Sequence, residues 1–260
     1  MTTRRDIVVH AGPDVAAAAA AARLVTRLVD VQAAGRVPRL VLTGGGIGIA
    51  VLEQLRSGPA HDAVDWTHVD FYWGDERFLA PGDPERNETQ AREALLDHLP
   101  VDPARVHPMG ADTGTGPSGA EAAAEAYAEL LAAQARPEDH GPVPVFDVTL
   151  LGMGPEGHTA SVFPHSPAVY ETERTVVAVH GCPKPPPTRV SLTLPAIRRS
   201  VEVWILATGE SKAAAVAMAL GGAGEVAIPV AGATGTHRTL WLLDRAAAAK
   251  LPRDLTPPIA

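Results

Sequence analysis

The sequence predicts an α/β fold: a mostly parallel β-sheet flanked by helices on both faces, a Rossmann-like arrangement of three layers. Three observations predict it. Short apolar runs alternate with helix-like segments along the whole chain. Runs such as VFDVTLLGMG (145–154) and VEVWILATG (201–209) are apolar almost throughout, as strands covered on both faces must be. Finally, four glycine-rich or charged stretches, TGGG, GDER, GMGPEGH and ATGESK, each follow such a run. In open α/β sheets, ligands collect outside the C-terminal ends of the strands.

The elements follow in order. DIVVHA (6–11) is a short strand, and GPD then opens an Ala-rich helix over 14–34 that stops at Gly35. PRLVLT (38–43) is a strand, followed by glycines and the amphipathic IGIAVLEQLR. WTHVDFYW (66–73) is a strand ending in GDER, and 85–99 and 116–134 are helices with apolar residues at three-to-four spacing. The most apolar strand of the first half, 145–154, leads to His158, after which a short helix is expected. TVVAVHG (175–181) and RVSLTL (189–194) are strands on either side of the stiff CPKPPPT loop. The strand 201–209 precedes the helix ESKAAAVAMAL, and RTLWLLD (238–244) is the last strand. GADTGTGPSGA (110–120) reads as a flexible loop and LTPPIA as a surface extension. There is no internal repeat, and residues 1–260 are expected to form one domain.

Composition narrows the function. Of the 260 residues, 46% are hydrophobic and 20% charged, enough for a full globular core, while only 4% are aromatic, so that core rests on Ala, Val and Leu. The net charge of −8 argues against nucleic acid and against an anionic membrane surface. An anionic substrate would have to be held by a local cationic cluster against that field. The single cysteine, Cys182, leaves no intramolecular disulfide and no cysteine metal site, which fits the cytoplasm. TRRDIVV resembles a twin-arginine signal only loosely, because Asp6 and HAGPD interrupt it, and no run approaches the ~18 apolar residues of a membrane span.

The strand-end stretches carry the candidate chemistry. In LTGGGIG, Gly44 and Gly45 sit between strand and helix, either for tight packing or as a cradle of N–H groups at a helix N-terminus that favours an anion. No Walker lysine follows, and position 49 is Ile where G-x-G-x-x-G needs glycine. In GDER, Asp75 could orient a hydroxyl or a base and Arg77 offers a planar fork to phosphate or carboxylate, while Glu76 is expected to point elsewhere; a solvated turn is the plain alternative. Lys212 in the first helical turn opposes the helix dipole, which makes sense where an anion shares that end, although a surface lysine would look the same. Lys184 and Arg189 flank the Pro-rich loop and add positive charge if they face inward. His158 lacks an H-E-x-x-H or G-x-S-x-G context. It serves either as a structural hydrogen-bonder or as a general base of ordinary pKa near ~6.5, with Glu156 placed to bias its tautomer or to cap a helix.

Together LTGGG, WGDERFLAPGDPERN, LLGMGPEGHTASVFP, PPPTRVSLTLPAI and ATGESKAAAV resemble, in this order and spacing, the 6-phosphogluconolactonase family of the glucosamine-6-phosphate deaminase/isomerase superfamily. The resemblance spans nearly the whole chain. It implies a deaminase/isomerase-like fold and hydrolysis of 6-phospho-D-glucono-1,5-lactone to 6-phospho-D-gluconate in the oxidative pentose phosphate pathway, with no metal and no organic cofactor. By position, His158 matches the catalytic histidine; Gly44, Gly45, Arg77 and Lys212 match phosphate-binding positions; Asp75 matches the acid before that arginine; and Arg189 matches the basic residue after the Pro-rich loop. Glu156 stands where the family usually has Asp, and Gly46 where it usually has Ser or Thr. The expected partner is a small sugar-phosphate lactone, with the chain a monomer or small homo-oligomer. An amino-sugar-phosphate deaminase would carry Asp-Glu-Tyr in place of DER and His-Ile-Ala-Phe-Asn in place of HTASVFP. A non-catalytic sugar-phosphate-sensing domain is the reading from another class.

Overall fold

A computed structural model describes residues 4–114, 116 and 118–255. Thr115 and Pro117 of the expected 110–120 loop, and all of the expected C-terminal extension except Leu255, lie outside the described residues.

The six-stranded sheet is parallel throughout, in the order β1-β9-β8-β5-β2-β3. Its strands are β1 (Arg4–His10), β2 (Arg39–Leu42), β3 (Asp70–Trp73), β5 (Val148–Gly152), β8 (Glu202–Ala207) and β9 (Arg238–Asp244). Strand alternation divides the core in two. Leu40, Leu42, Leu150, Trp204 and Leu206 face α1 (Pro13–Ala33), α2 (Gly45–Ser57) and α3 (Asn87–Ala94). Val41, Leu151, Val203, Ile205 and Ala207 face the other way, toward α4 (Ser118–Gln134), α5 (Leu194–Ile197) and α6 (Ala213–Leu220). Continuous apolar strands are therefore what a sheet with two covered faces requires. Among the described residues, no helix is long and apolar enough to cross a membrane.

A second, antiparallel sheet, β4-β7-β6, was not anticipated as a unit. It joins β4 (Asp75–Arg77), β7 (Arg189–Leu192) and β6 (Val176–Val179). The DER triplet, read as a stretch after the strand with a solvated turn as the plain alternative, is an edge strand in register with β7: Asp75 opposite Ser191, Arg77 opposite Arg189.

Three other expectations change. The strand expected over 66–73 is shortened to β3, because Asp65 caps a 3₁₀ turn at Trp66–His68 by accepting from the Thr67 N–H at 3.1 Å. The helix expected over 85–99 breaks at Leu95 and continues as a 3₁₀ turn, which lets the consecutive Leu95 and Leu96 both enter the core. No helix begins directly after His158; the first is a single 3₁₀ turn at Pro167–Tyr170. The segment instead turns tightly between Thr159 and Val162, with Ala160 at φ 46°. Its hydroxyls are used as anchors: Thr159 Oγ1 donates to the Gly152 carbonyl at 3.0 Å and Ser161 Oγ to Asp75 Oδ2 at 2.7 Å.

Candidate active site

The C-terminal ends of β8, β5 and β2 are neighbours in the sheet, so the loops after them open onto one cavity of about 420 Å³. Of the candidate residues singled out in the sequence, Gly44, Gly45, Asp75, Arg77, His158, Lys184, Arg189 and Lys212 line it. Glu156 stands behind His158.

The floor is the start of α2. Gly44 is its N-cap, with no side-chain hydrogen bond, and Gly45 has φ +80°, a conformation that favours glycine. The first N–H groups of a 13-residue helix are left without side-chain acceptors at the cavity wall, where the helix dipole favours an anion. Gly48 serves packing instead, since a Cβ there would meet the Thr43 carbonyl. At Gly46 a Cβ would meet nothing within 4 Å, so the position has room for a Ser or Thr side chain.

One wall is the β4–β7 ribbon. Strand alternation sends Asp75 and Arg77 to the cavity and Glu76 to the opposite side. There Glu76 is fully buried and accepts from the backbone N–H of Arg77 (2.8 Å), Asn87 (2.6 Å) and Glu88 (2.9 Å), closing the N-terminus of α3. Burial pushes its carboxyl up to about 7, against the pull of Arg86 and the three N–H donors. Asp75 is held from three sides: Ser161, Asn87 Nδ2 at 3.2 Å, and Arg189 at 3.8 Å. Arg189 also donates to the carbonyls of Lys184, Pro185 and Pro186, clasping the Pro-rich loop against the site. Two arginines paired across adjacent strands repel, and an anion in the cavity would relieve that repulsion.

The opposite wall is the histidine loop. His158 Nδ1 lies 2.7 Å from Glu156 Oε1, and the ring packs at 4.4 Å on Phe163. A carboxylate at Nδ1 selects the tautomer protonated there, leaving the Nε2 lone pair free. Burial holds the His158 pKa below the ordinary imidazole range, although Glu156 pulls the other way. Burial also opposes the charge of Glu156, yet its own backbone N–H, His158 and Lys184 together keep its carboxyl below the usual range. The glycines around the loop are clearance: a Cβ at Gly154 would collide with the His158 ring and the Glu156 carboxylate, and Gly157 has φ +88°.

Lys212 reaches the cavity from the 3₁₀ turn Glu210–Lys212 that leads into α6. Burial, then the nearby Lys184, lowers its pKa, and it makes no ion pair among the described residues. Sequence reasoning missed Asn87, Ser161 and the capping role of Glu76. Asn87 and Ser161 lie inside the quoted motifs, but only tertiary contact with Asp75 gives them a task. Among the described residues, no three His, Cys, Asp or Glu side chains are grouped as a metal site requires.

A family model described as glucosamine-6-phosphate isomerases/6-phosphogluconolactonase matches residues 11–241. The chain is 59% identical over 258 residues to a 6-phosphogluconolactonase of Streptomyces coelicolor, covering 99% of each. It is 55% identical over 239 residues to that of Mycobacterium tuberculosis, covering 92% of this chain and 95% of the other. The solved 6-phosphogluconolactonase of Trypanosoma brucei matches with a TM-score of 0.80 at 29% identity, over 96% of this chain and 100% of that one. A monomeric glucosamine-6-phosphate deaminase shares the fold, with a TM-score of 0.76 at 19% identity over 94% of this chain and 99% of that one.

Proposed function

The chain belongs to the glucosamine-6-phosphate isomerase/6-phosphogluconolactonase family, and from that premise we propose that its cavity hydrolyses 6-phospho-D-glucono-1,5-lactone to 6-phospho-D-gluconate. The observation that carries the reading is a half-buried, neutral-leaning imidazole whose free nitrogen shares one cavity with an uncapped helix N-terminus and unpaired positive charge.

The phosphate rests on the N–H groups at Gly44 and Gly45, held by Arg77 and Lys212. This remote, non-reacting group supplies binding energy that fixes the ring over His158. Nε2 of His158 takes one proton from a water as its oxygen attacks the lactone carbonyl. The tetrahedral intermediate then expels the ring oxygen, and the imidazolium returns the proton to it as the C1–O bond breaks. Glu156 stabilises the imidazolium formed between these steps. Asp75 holds Ser161 and Arg189 in place, and Arg189 lies on the wall where the oxyanion develops. General-base catalysis of this kind contributes ~10²–10⁴-fold. Chemistry of this class, on a water-borne sugar phosphate, suits the cytoplasm. The burial of both faces of one central sheet supports reading residues 1–260 as a single domain.

The test is a lactonase assay coupled to 6-phosphogluconate dehydrogenase. His158→Ala is expected to lose turnover while still binding 6-phosphogluconate, and Arg77→Ala mainly to raise KM. Full activity in His158→Ala would remove the histidine as base. Ammonia release from glucosamine 6-phosphate by the wild type would favour the deaminase branch instead.

A further inference from the structure

The Pro-rich loop brings a charge to this site that the scheme above leaves unused. Lys184 lies on the wall of the same cavity, with its Nζ 3.6 Å from Glu156 Oε2. The other oxygen of that carboxylate, Oε1, holds His158 Nδ1 at 2.7 Å. One carboxylate therefore joins a loop cation to the imidazole. Apart from Lys184, Glu156 Oε2 is buried without a hydrogen-bond partner among the described residues.

The loop itself is fixed, because Arg189 donates to the carbonyls of Lys184, Pro185 and Pro186. The Lys184 side chain is less enclosed: it is 45% exposed and lines the cavity, close enough to Lys212 to disfavour the charge on that ammonium. A phosphate held by Lys212 would therefore attract Lys184 as well.

We propose that Lys184 is a further functional residue of this site, a cation shared between Glu156 and the phosphate of the bound substrate. The proposal rests on the reading of His158 as the base. Without substrate, the ammonium engages Glu156 and offsets the carboxylate behind the imidazole. With substrate, it turns toward the phosphate, and the full charge of Glu156 is left to stabilise the imidazolium formed when water is deprotonated. Substrate binding thus makes His158 a stronger base at the moment it is used. The charged groups facing His158 are Glu156 on its own loop, Lys184 on the Pro-rich loop and Asp75 on β4; Lys212 acts at the next remove, through Lys184 and Glu156. Of these, only Lys184 combines a nearly half-exposed side chain with contact to Glu156.

The experiment measures kcat and KM against pH for wild type, Lys184→Met and Lys184→Arg. A positive charge near an imidazole disfavours its protonation, so removing it raises the proton affinity of His158 in the free enzyme. The acid limb of kcat/KM is expected to move to higher pH in Lys184→Met, and KM to rise about tenfold, the usual worth of a charge-assisted contact. Lys184→Arg is expected to restore the limb, which a merely structural effect of the loop would not do. An acid limb unchanged in Lys184→Met overturns the link through Glu156. A shifted limb with an unchanged KM overturns the sharing with substrate. Turnover surviving in His158→Ala would instead remove the base on which the proposal stands, and the two failures are separate measurements.

Discussion

At the scale of single residues, His158, the base proposed for the lactone, has to be a neutral ring with an open nitrogen. Glu156 sets which nitrogen is open, and burial keeps the ring neutral. The sign for activity follows directly. A base works when unprotonated, and a lowered pKa keeps it so at lower pH, so the acid limb of kcat/KM is expected below the ordinary imidazole value of 6.5. Glu156→Gln removes a charge that favours the imidazolium. It should move that limb lower still and reduce kcat about tenfold or more, the worth of a charge-assisted hydrogen bond; a pH–rate profile of the purified variant checks both. Glu156, where the resemblance implies Asp, therefore bonds the imidazole, and no helix begins beside it for it to cap. That much could not be read from spacing, because both tasks begin two residues before the histidine.

Among the elements, the start of α2 and the short strand β4 do most of the positioning. Gly45 is committed by its backbone, at φ +80°, whereas Gly46 is at an ordinary conformation with open space around it. Gly45→Ala should cost about 1–2 kcal/mol of stability and raise KM, since a Cβ in the left-handed region is strained and the strain falls on the turn proposed to hold the phosphate. Gly46→Ala should leave stability within about 0.5 kcal/mol of wild type. Urea melts and steady-state kinetics of the pair separate the two glycines. The glycine run was legible as a strand-to-helix turn, but not which glycine the backbone required. β4 was illegible as a strand for a physical reason. Three charged residues carry no apolar alternation, and their pairing partner β7 lies more than a hundred residues further on. Once paired, period-two alternation explains why Asp75 and Arg77 face the cavity while Glu76 turns away to close α3.

Across the whole molecule, stability and chemistry are separable. Arg39 at the start of β2 makes two 2.9 Å contacts to Asp139, and both side chains are buried. Asp139 also accepts from the Arg136 and Val145 N–H groups, fastening the segment between α4 and β5 to the N-terminal end of the sheet, opposite the cavity. Asp139→Ala leaves the Arg39 charge buried and unpaired and should destabilise by about 3–5 kcal/mol. The kcat/KM of the fraction still folded should remain near wild type, and denaturant melts beside kinetics at low temperature distinguish the two effects. In a chain of net charge −8, Arg77, Lys184, Arg189 and Lys212 gather positive charge at one opening from three separate segments, which is what the proposed anionic substrate requires. The sequence by itself determined the α/β class, most of the strands and the strand-end stretches that carry chemistry, because apolar periodicity and glycine placement are local properties. Only the tertiary structure decided the antiparallel second sheet, the outward turn of Glu76, the service of Asn87 and Ser161 to Asp75, and the chain from Lys184 through Glu156 to His158. Each of these depends on contacts between segments far apart in the chain, and no local pattern encodes which distant partner a polar side chain will meet.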